Sequence, residues 1–411
     1  MRLAVRRRAG LAAFLVVVGP GLLAGLSDDD PPGITTYSIL GADFGYELLW
    51  TIVISTVALV IFHDLGARLG IVTGQGLIGL VRERYGVRVA AFAITTLVIA
   101  NVGTLCGQFA GIAAAAGLAG IPPWVAVPVA AVGVSTLVLR GGFNRVEHVL
   151  LALSAVFVTY IAAGFMAHPD WGAAAHGLLV PTPPGSRDAA LTAVAVVGTT
   201  LAPWGLAFIQ SYVADKRLRP RDLKLERVDV VVGAVLTGVI GVFVAIACAA
   251  TLNVDGVSIN DAADAARALS PLAGSFSATL FGVGLLGSGL LAVSVLPLST
   301  AYSVTDAVGT EAALDDPPSE APLFYGAFGF VVVPAVILVC IPGVSLVAIL
   351  FLSQALNALL LLPLIWLMRR LGRDPEVMGR YRLGRTGSVA TAATVVLITL
   401  AIALTVVLAV A

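Results

Sequence analysis

Residues 27–33 read SDDDPPG, between LAAFLVVVGPGLLAGL (11–26) and ITTYSILGADFGYELLW (34–50), two stretches apolar enough to enter a bilayer. Proline has no amide hydrogen and clashes with the preceding turn, so Pro31 and Pro32 open any helix that runs through them. A carboxylate held in a low-dielectric medium must be paired, hydrated or neutralised. The stretch therefore predicts a helix broken at membrane depth around a charged centre.

The rest of the chain sets this break inside a polytopic membrane protein. Its 411 residues are 59% hydrophobic and only 12% charged, with a mean hydropathy of +1.00, which excludes an ordinary soluble domain. Windows of roughly 20 apolar residues, enough to span a bilayer core as helix, recur near 11–43, 45–64, 88–117, 122–140, 148–166, 189–214, 228–252, 275–305, 322–341, 344–368 and 388–410. With the N-terminus in the cytoplasm, 22 of the 24 Lys and Arg fall on the cytoplasmic side, and only Arg187 and Arg267 fall outside. That asymmetry supports eleven spans and an external C-terminus, because one missed helix would invert every later loop. The basic start followed by an apolar run also has the look of a signal peptide. Its removal would take away the first half of span 1, so it is read as part of that span.

A second break, GTTLAPWG at 198–205, interrupts the sixth span. Five spans separate the two breaks, so the second block of five enters from the opposite side, the pattern of an inverted-topology repeat. The expected organisation is a first repeat over residues 1–170, a second over 171–370, and an additional helix over 371–411. Opened helices are tolerated at membrane depth only where the freed backbone is buried in protein or lines a cavity. Two breaks at matching places point to a substrate site more than to two simple proline kinks.

No Lys or Arg lies near the middle of any span, so a mobile cation is the simplest counter-charge for the carboxylates. Carboxylates, carbonyls and amides suit magnesium, calcium or manganese, whereas thioether, thiolate and imidazole suit softer metals. The four Met lie away from both breaks, and Cys106, Cys248 and Cys340 lie in apolar spans without a disulfide pattern. His63, His148, His168 and His176 fall at expected span ends or in loops, and are read as interface residues. Helical spacing leaves open that Asp29 turns away from the site. The spans hold no nucleophile and base pair, so an enzyme is not expected. The basic residues are topology signals spread over loops, so nucleic-acid binding is not expected either.

GPGLLAG at 19–25 with DDDPPGITTYSILGADFGYELLW at 28–50, ARLGIVTG at 67–74 and GTTLAPWGLAFIQSYVADK at 198–216 resemble the Nramp divalent-metal transporters over nearly the whole chain. That resemblance implies an all-α, LeuT-like fold of the APC superfamily, a 5+5 inverted repeat plus an eleventh helix, with helices 1 and 6 unwound at the midplane. GTT-x-x-PWG and STAYSV at 299–304 are more similar to the Nramp-related magnesium transporters. The Nramp helix 1 motif Asp-Pro-Gly-Asn falls on Asp30, Pro31, Pro32 and Gly33, so Asp30 keeps the metal-binding carboxylate and Gly33 lacks the amide. The helix 6 motif Ala-x-x-Met-Pro-His falls on Thr199 to Trp204, and the thioether becomes the methyl of Ala202. The resemblance thus implies a metal site drawn from Asp30, Asp28, Ser27, Gly33, Thr199, Ala202 and Gln354, the last because helix 10 of Nramp contributes a Gln.

Both changes enlarge the site and remove ligands, which fits a partly hydrated magnesium ion, with manganese as the second candidate. In Nramp, helix 3 carries acidic residues for proton transfer; here Asn101, Leu105 and Gln108 take those places, and Trp204 replaces the helix 6 His. Neutral groups cannot relay protons, so the expectation is uncoupled transport. Two alternatives stay open: a proton-coupled manganese or iron Nramp transporter, and a sodium-coupled organic solute carrier on the same fold. Asn357 and Gln210 are expected to be structural. The ion is cargo and no cofactor is expected. The surroundings are a lipid bilayer, of the bacterial plasma membrane type, and no obligatory protein partner is evident.

Overall fold

The computed structural model describes residues 29–139, 158–310 and 319–410. Among them eight helical stretches are long and apolar enough to cross a membrane. They match eight of the windows read from the sequence, and shorter described helices fall in the other three.

The chain runs α1 (Pro31–Phe44), α2 (Leu49–Thr73), α3 (Leu77–Tyr85), α4 (Val87–Leu118), α5 (Pro123–Leu139), α6 (Thr159–Met166) and α7 (Trp171–Leu179). It continues through α8 (Arg187–Thr200), α9 (Pro203–Asp215), α10 (Leu223–Cys248), α11 (Ala262–Arg267), α12 (Ser277–Val308), α13 (Pro322–Val339), α14 (Leu346–Arg373) and α15 (Arg385–Val410). The sequence reading did not anticipate α3, α7 or α11, which lie between membrane-length helices and are too short to span. Within α3 the apolar residues Leu77, Ile78, Leu80 and Val81 are buried while Arg82 and Arg84 occupy the last turn, so it is an amphipathic helix along one end of the bundle. Arg84 donates to Asp374 at 2.7 Å and pairs with Glu376 at 2.6 Å, joining α3 to the segment after α14. This is the basic end of the molecule.

Helix termini follow local chemistry. Pro31 and Pro32 take the first positions of α1 behind the Asp30 cap, where a missing amide hydrogen costs nothing. Helix α2 stops at Gly74, whose φ of 69° is left-handed.

Two groups of helices emerge. Helices α1, α2, α9 and α10 pack on one another, as do α4, α12, α13 and α14. The groups meet where α8 lies along α14, α9 along α12, and α1 against both α4 and α14. At these seams glycine lets backbones touch: a Cβ on Gly198 would overlap the carbonyl oxygen of Gln354 and lie 2.7 Å from the backbone nitrogen of Ala358. Small residues serve the same end wherever membrane helices approach closely.

One reading needs correction. The sequence puts His63 at the end of span 2 as an interface residue, but it is inside α2, 1% exposed, and its Nδ1 has no hydrogen-bond partner among the described residues. The helix outruns its apolar window because the charges that follow are neutralised across the fold. Asp64 accepts from Arg68 one turn on, and from Nε of Arg227 on α10 at 2.7 Å. His168 and His176 lie in the connecting region, with His176 in the last turn of α7; His148 is outside the described residues.

The Gly198 contact gives a test. Gly198→Ala should lower the unfolding temperature of the detergent-solubilised protein by the equivalent of about 1–3 kcal/mol, the usual penalty for overpacking. Gly133→Ala on α5, where a Cβ would meet no atom within 4 Å, should leave it unchanged or slightly raised. Thermal unfolding of both variants beside the wild type decides the matter, and equal behaviour would refute the contact.

Candidate functional site

The first break is built by Asp30. Its backbone is extended (φ −87°, ψ 169°), and Oδ1 accepts the amide hydrogen of Gly33 at 2.7 Å. Its Oδ2 accepts a short hydrogen bond from the Gln108 amide nitrogen on α4. Both carboxylate oxygens therefore have a protein donor, and together they fix the start of α1 to the middle of α4. Asp30 is 4% exposed, and Gln108 is fully buried. Asp29 precedes it in a bend, not in a helix, so the 100° spacing that could have turned it away does not apply. It is 1% exposed, and among the described residues neither carboxylate oxygen has a hydrogen-bond partner.

The prolines fit a notch of glycines. A Cβ on Gly107 would lie 2.6 Å from Cγ of Pro32 and 3.0 Å from Oγ of Ser353, and one on Gly111 would overlap Pro31. On α12, a Cβ on Gly289 would lie 3.3 Å from Cγ of Pro31. Helices α1, α4, α12 and α14 therefore converge around the first break.

The second break parts α8 from α9 at Leu201 and Ala202. Leu201 has φ −108° and ψ 57°, and Ala202 is extended as the residue before Pro203, which excludes the helical region for steric reasons. Because Pro203 carries no amide hydrogen, the carbonyl of Thr199 has no helical donor four residues on. The Thr199 hydroxyl is also buried, without a partner among the described residues. The Ala202 carbonyl instead accepts from the amides of Gly205 and Leu206 at 3.1 and 3.4 Å, closing the first turn of α9. One residue before the break, Thr200 shares a 3.0 Å hydrogen bond with the hydroxyl of Tyr37, tying α8 to α1.

The amides around the breaks are largely tied up. Gln354 donates to Ser353 Oγ at 3.0 Å and accepts from Nδ2 of Asn357 at 3.1 Å, and Asn357 also reaches Thr104 on α4 at 2.8 Å. Asn101 donates to Thr300 on α12 at 2.7 Å. Gln210 donates to the Gln75 carbonyl at 3.2 Å, a structural tie between α9 and the loop before α3. Trp204 is fully buried, and its carbonyl accepts from Ser299 at 3.0 Å.

The structure thus brings Asp30, Gly33 and Gln108 into direct contact, and seats Gly198, next to Thr199, on the backbone of Gln354. Gly33 takes part through its backbone amide. Ser27 and Asp28 lie outside the described residues. Sequence reasoning missed Gln108 as the partner of Asp30. The available signal was a lone Gln between Gly107 and Gly111 in an apolar helix, a close-packed place where an amide needs a buried partner. Among the described residues no cluster of three or more His, Cys, Asp and Glu could hold a metal ion; the donors on offer are carboxylate, carbonyl, hydroxyl and amide oxygens.

Cavities open toward both ends of the bundle. A cavity of about 970 Å³ at the basic end is lined by Ser211, Asp215, Tyr302 and Asp306 among others. Two cavities of about 430 and 360 Å³ at the opposite end share Ile259, Asn260, Ser345 and Val347. Asp30, Thr199 and Gln354 line none of the three. Toward the basic end, α9 carries a column of rings, with Trp204 and Phe208 at 6.4 Å and Phe208 and Tyr212 stacked at 5.0 Å.

Comparison with known proteins agrees with this architecture. The profile of the family described as "Natural resistance-associated macrophage protein-like" (Nramp) matches residues 21–408. The chain belongs to the Nramp family. Among curated Nramp relatives, the "divalent metal cation transporter MntH" of Burkholderia ambifaria is 31% identical over 290 residues, 68% of this chain and 65% of its own length. The protein of the same name from Bacillus subtilis is 29% identical over 305 residues, 71% of this chain and 70% of its own. The chain therefore aligns with about two thirds of the length of these relatives. The fold matches that of the Eremococcus coleocola manganese transporter, at 21% identity and a TM-score of 0.76, over 96% of this chain and 86% of that one. It also matches Mhp1, a nucleobase–cation–symport-1 family transporter, at 17% identity and a TM-score of 0.56, over 95% of this chain and 90% of that one. The LeuT-like fold expected from sequence is thereby shown.

The Asp30 contact is directly testable. Gln108→Leu, close in volume, removes the donor to a buried carboxylate and should destabilise the protein by about 1–3 kcal/mol, as a lost hydrogen bond to a buried acceptor does. A denaturation series of the purified variant checks this, and wild-type stability would contradict the hydrogen bond.

Proposed function

We propose that this Nramp protein carries divalent metal cations across a membrane, with magnesium as the cargo, bound partly hydrated and moved without proton coupling. One observation carries the proposal: the helix 6 break offers the Ala202 methyl and the Trp204 indole, where the Nramp motif has a thioether and an imidazole. The remaining donors are oxygens, the ligands of hard cations. Magnesium surrenders its water reluctantly and binds through one or two carboxylates, so a site poor in side-chain ligands suits it. In this reading Asp30 supplies charge, Thr199 its freed carbonyl and hydroxyl, and Gly33 and Ala202 the room, with Gln354 framing the far wall. Ser27 and Asp28, the preceding residues in sequence, are the remaining candidates in this reading.

The absence of a relay supports uncoupled movement. Asn101 and Gln108 are neutral amides in hydrogen bonds to Thr300 and Asp30, and Leu105 is apolar. Ion gradient and membrane potential are then the driving forces. Alternating access would come from α1, α2, α8, α9 and α10 rocking against α4, α12, α13 and α14, across the repeat interface of residues 1–170 and 171–370. The Lys and Arg distribution orients the chain with its N-terminus in the cytoplasm of a bacterial plasma membrane. The matched structure is named a manganese transporter, which favours a second reading with manganese as the cargo, and in that reading proton coupling follows from the Nramp resemblance.

Uptake into proteoliposomes separates the two. A magnesium-sensitive dye should report entry with the wild type whether or not an inward proton gradient is imposed, and little entry with Asp30→Ala. Manganese entry accompanied by lumenal acidification, with no magnesium entry, would return the protein to the coupled class.

A further inference from the structure

The ion pairs that join α3 to the end of α14 leave two arginines over. A cavity of about 360 Å³ there is lined by Arg84 and Tyr85 of α3, by Arg370 and Arg373 of α14, and by Asp374 and Glu376 just beyond it. Both acids are taken by Arg84, at 2.7 and 2.6 Å. Arg370 and Arg373 are exposed, and neither enters an ion pair among the described residues. The excess of positive charge continues along the chain. Residues 369–385 hold six arginines and two acids, and Nε of Arg369 is buried without a partner among the described residues.

The same face of α14 suits a lipid. Leu352, Leu359, Trp366 and Arg373 recur at every seventh position, and Arg370 stands one turn after Trp366, so the five side chains form one stripe along the helix. Leu352, Leu359 and Trp366 are exposed. The Arg370 guanidinium lies over the Trp366 ring, 4.4 Å from its centre, where the face of the indole attracts a cation. Toward the basic end the stripe therefore passes from aliphatic to aromatic to cationic. A phospholipid presents the matching order, from acyl chain through the interfacial zone favoured by Trp to an anionic headgroup.

We infer that this end of α14, with α3 beside it, binds an anionic phospholipid, its phosphate held by Arg370 and Arg373 and one acyl chain lying along Trp366, Leu359 and Leu352. A guanidinium presents parallel N–H donors that match phosphate oxygens. Arginines alone would serve a soluble anion equally well; the apolar stripe that continues from them makes a lipid the occupant. The inference goes beyond the transport reading and does not depend on which cation is carried. In this arrangement the lipid supplies the counter-charge that the described residues do not.

The test uses the full chain, purified in a neutral detergent and stripped of lipid. The wild type is compared with Arg373→Gln, with Arg370→Gln and Arg373→Gln together, and with a control of equal charge loss, Arg219→Gln and Arg221→Gln, exposed arginines between α9 and α10. The unfolding temperature is read against phosphatidylglycerol, against phosphatidylcholine with the same acyl chains, and against inorganic phosphate. Native mass spectrometry counts the lipid retained. Phosphatidylglycerol should raise the unfolding temperature of wild type and control, phosphatidylcholine much less, and phosphate not at all. Without lipid the double variant in α14 should unfold near the wild-type temperature, since no ion pair is lost, while its apparent affinity for phosphatidylglycerol falls by roughly tenfold or more. Arg373→Gln, the milder change, should show the same loss at smaller amplitude and serves if the double variant does not fold. Affinity unchanged in the α14 variants, or lowered as much in the control, would overturn the assignment. Equal retention of the two lipids by the wild type would overturn it as well, and phosphate acting as strongly as phosphatidylglycerol would make the occupant a soluble anion in place of a lipid.

Discussion

The Asp30 carboxylate is the joint on which the centre of the molecule turns. Without it the Gly33 amide, the first amide hydrogen in α1, would lose its acceptor, and the tie from the start of α1 to Gln108 on α4 would be lost. A buried hydrogen bond to an ionised acceptor contributes about 1.5–3 kcal/mol, but its larger effect is geometric. It sets where the prolines lie, and hence where the notch of Gly107, Gly111 and Gly289 must be. The second break is then referred to the first through the bond between Tyr37 and Thr200.

Around this joint the fold manages charge in two ways. Near the basic end, formal charges are matched within the protein, as in Asp64 with Arg68 and Arg227, and in Arg84 with Asp374 and Glu376. At the centre they are not matched: among the described residues Asp29 has no hydrogen-bond partner, while Asp30 is held by the Gly33 amide and by Gln108. The contrast separates carboxylates matched by basic side chains from carboxylates that the described residues leave without a counter-charge.

Much of this could be read from the residues because the signals are local. The prolines at 31, 32 and 203 announce both breaks by the hydrogen bonds they cannot make, and the apolar windows with alternating Lys and Arg mark the spans. What escaped depends on contacts between distant parts. The partner of Asp30 comes from Gln108, 78 residues away. The length of α2, and with it the burial of His63, depends on Arg227, 163 residues beyond Asp64. Helical spacing does not locate Asp29, because the backbone there is a bend. The identity of the ion is not written in any single residue, since oxygen donors serve several hard cations.

The glycine notch has a consequence for motion. Pro31 and Pro32 seat between residues that cannot carry a Cβ without collision, and closely packed interiors tend to be bistable, not continuously deformable. The base of α1 cannot drift by small degrees: either the rings are seated, and the helix is keyed to α4 and α12, or they are withdrawn, and the key is out. A joint of this kind works as a detent, which holds one position firmly and releases in a single step. The rhythm with which the protein opens would then be governed by the fit of two proline rings more than by the slow bending of long helices.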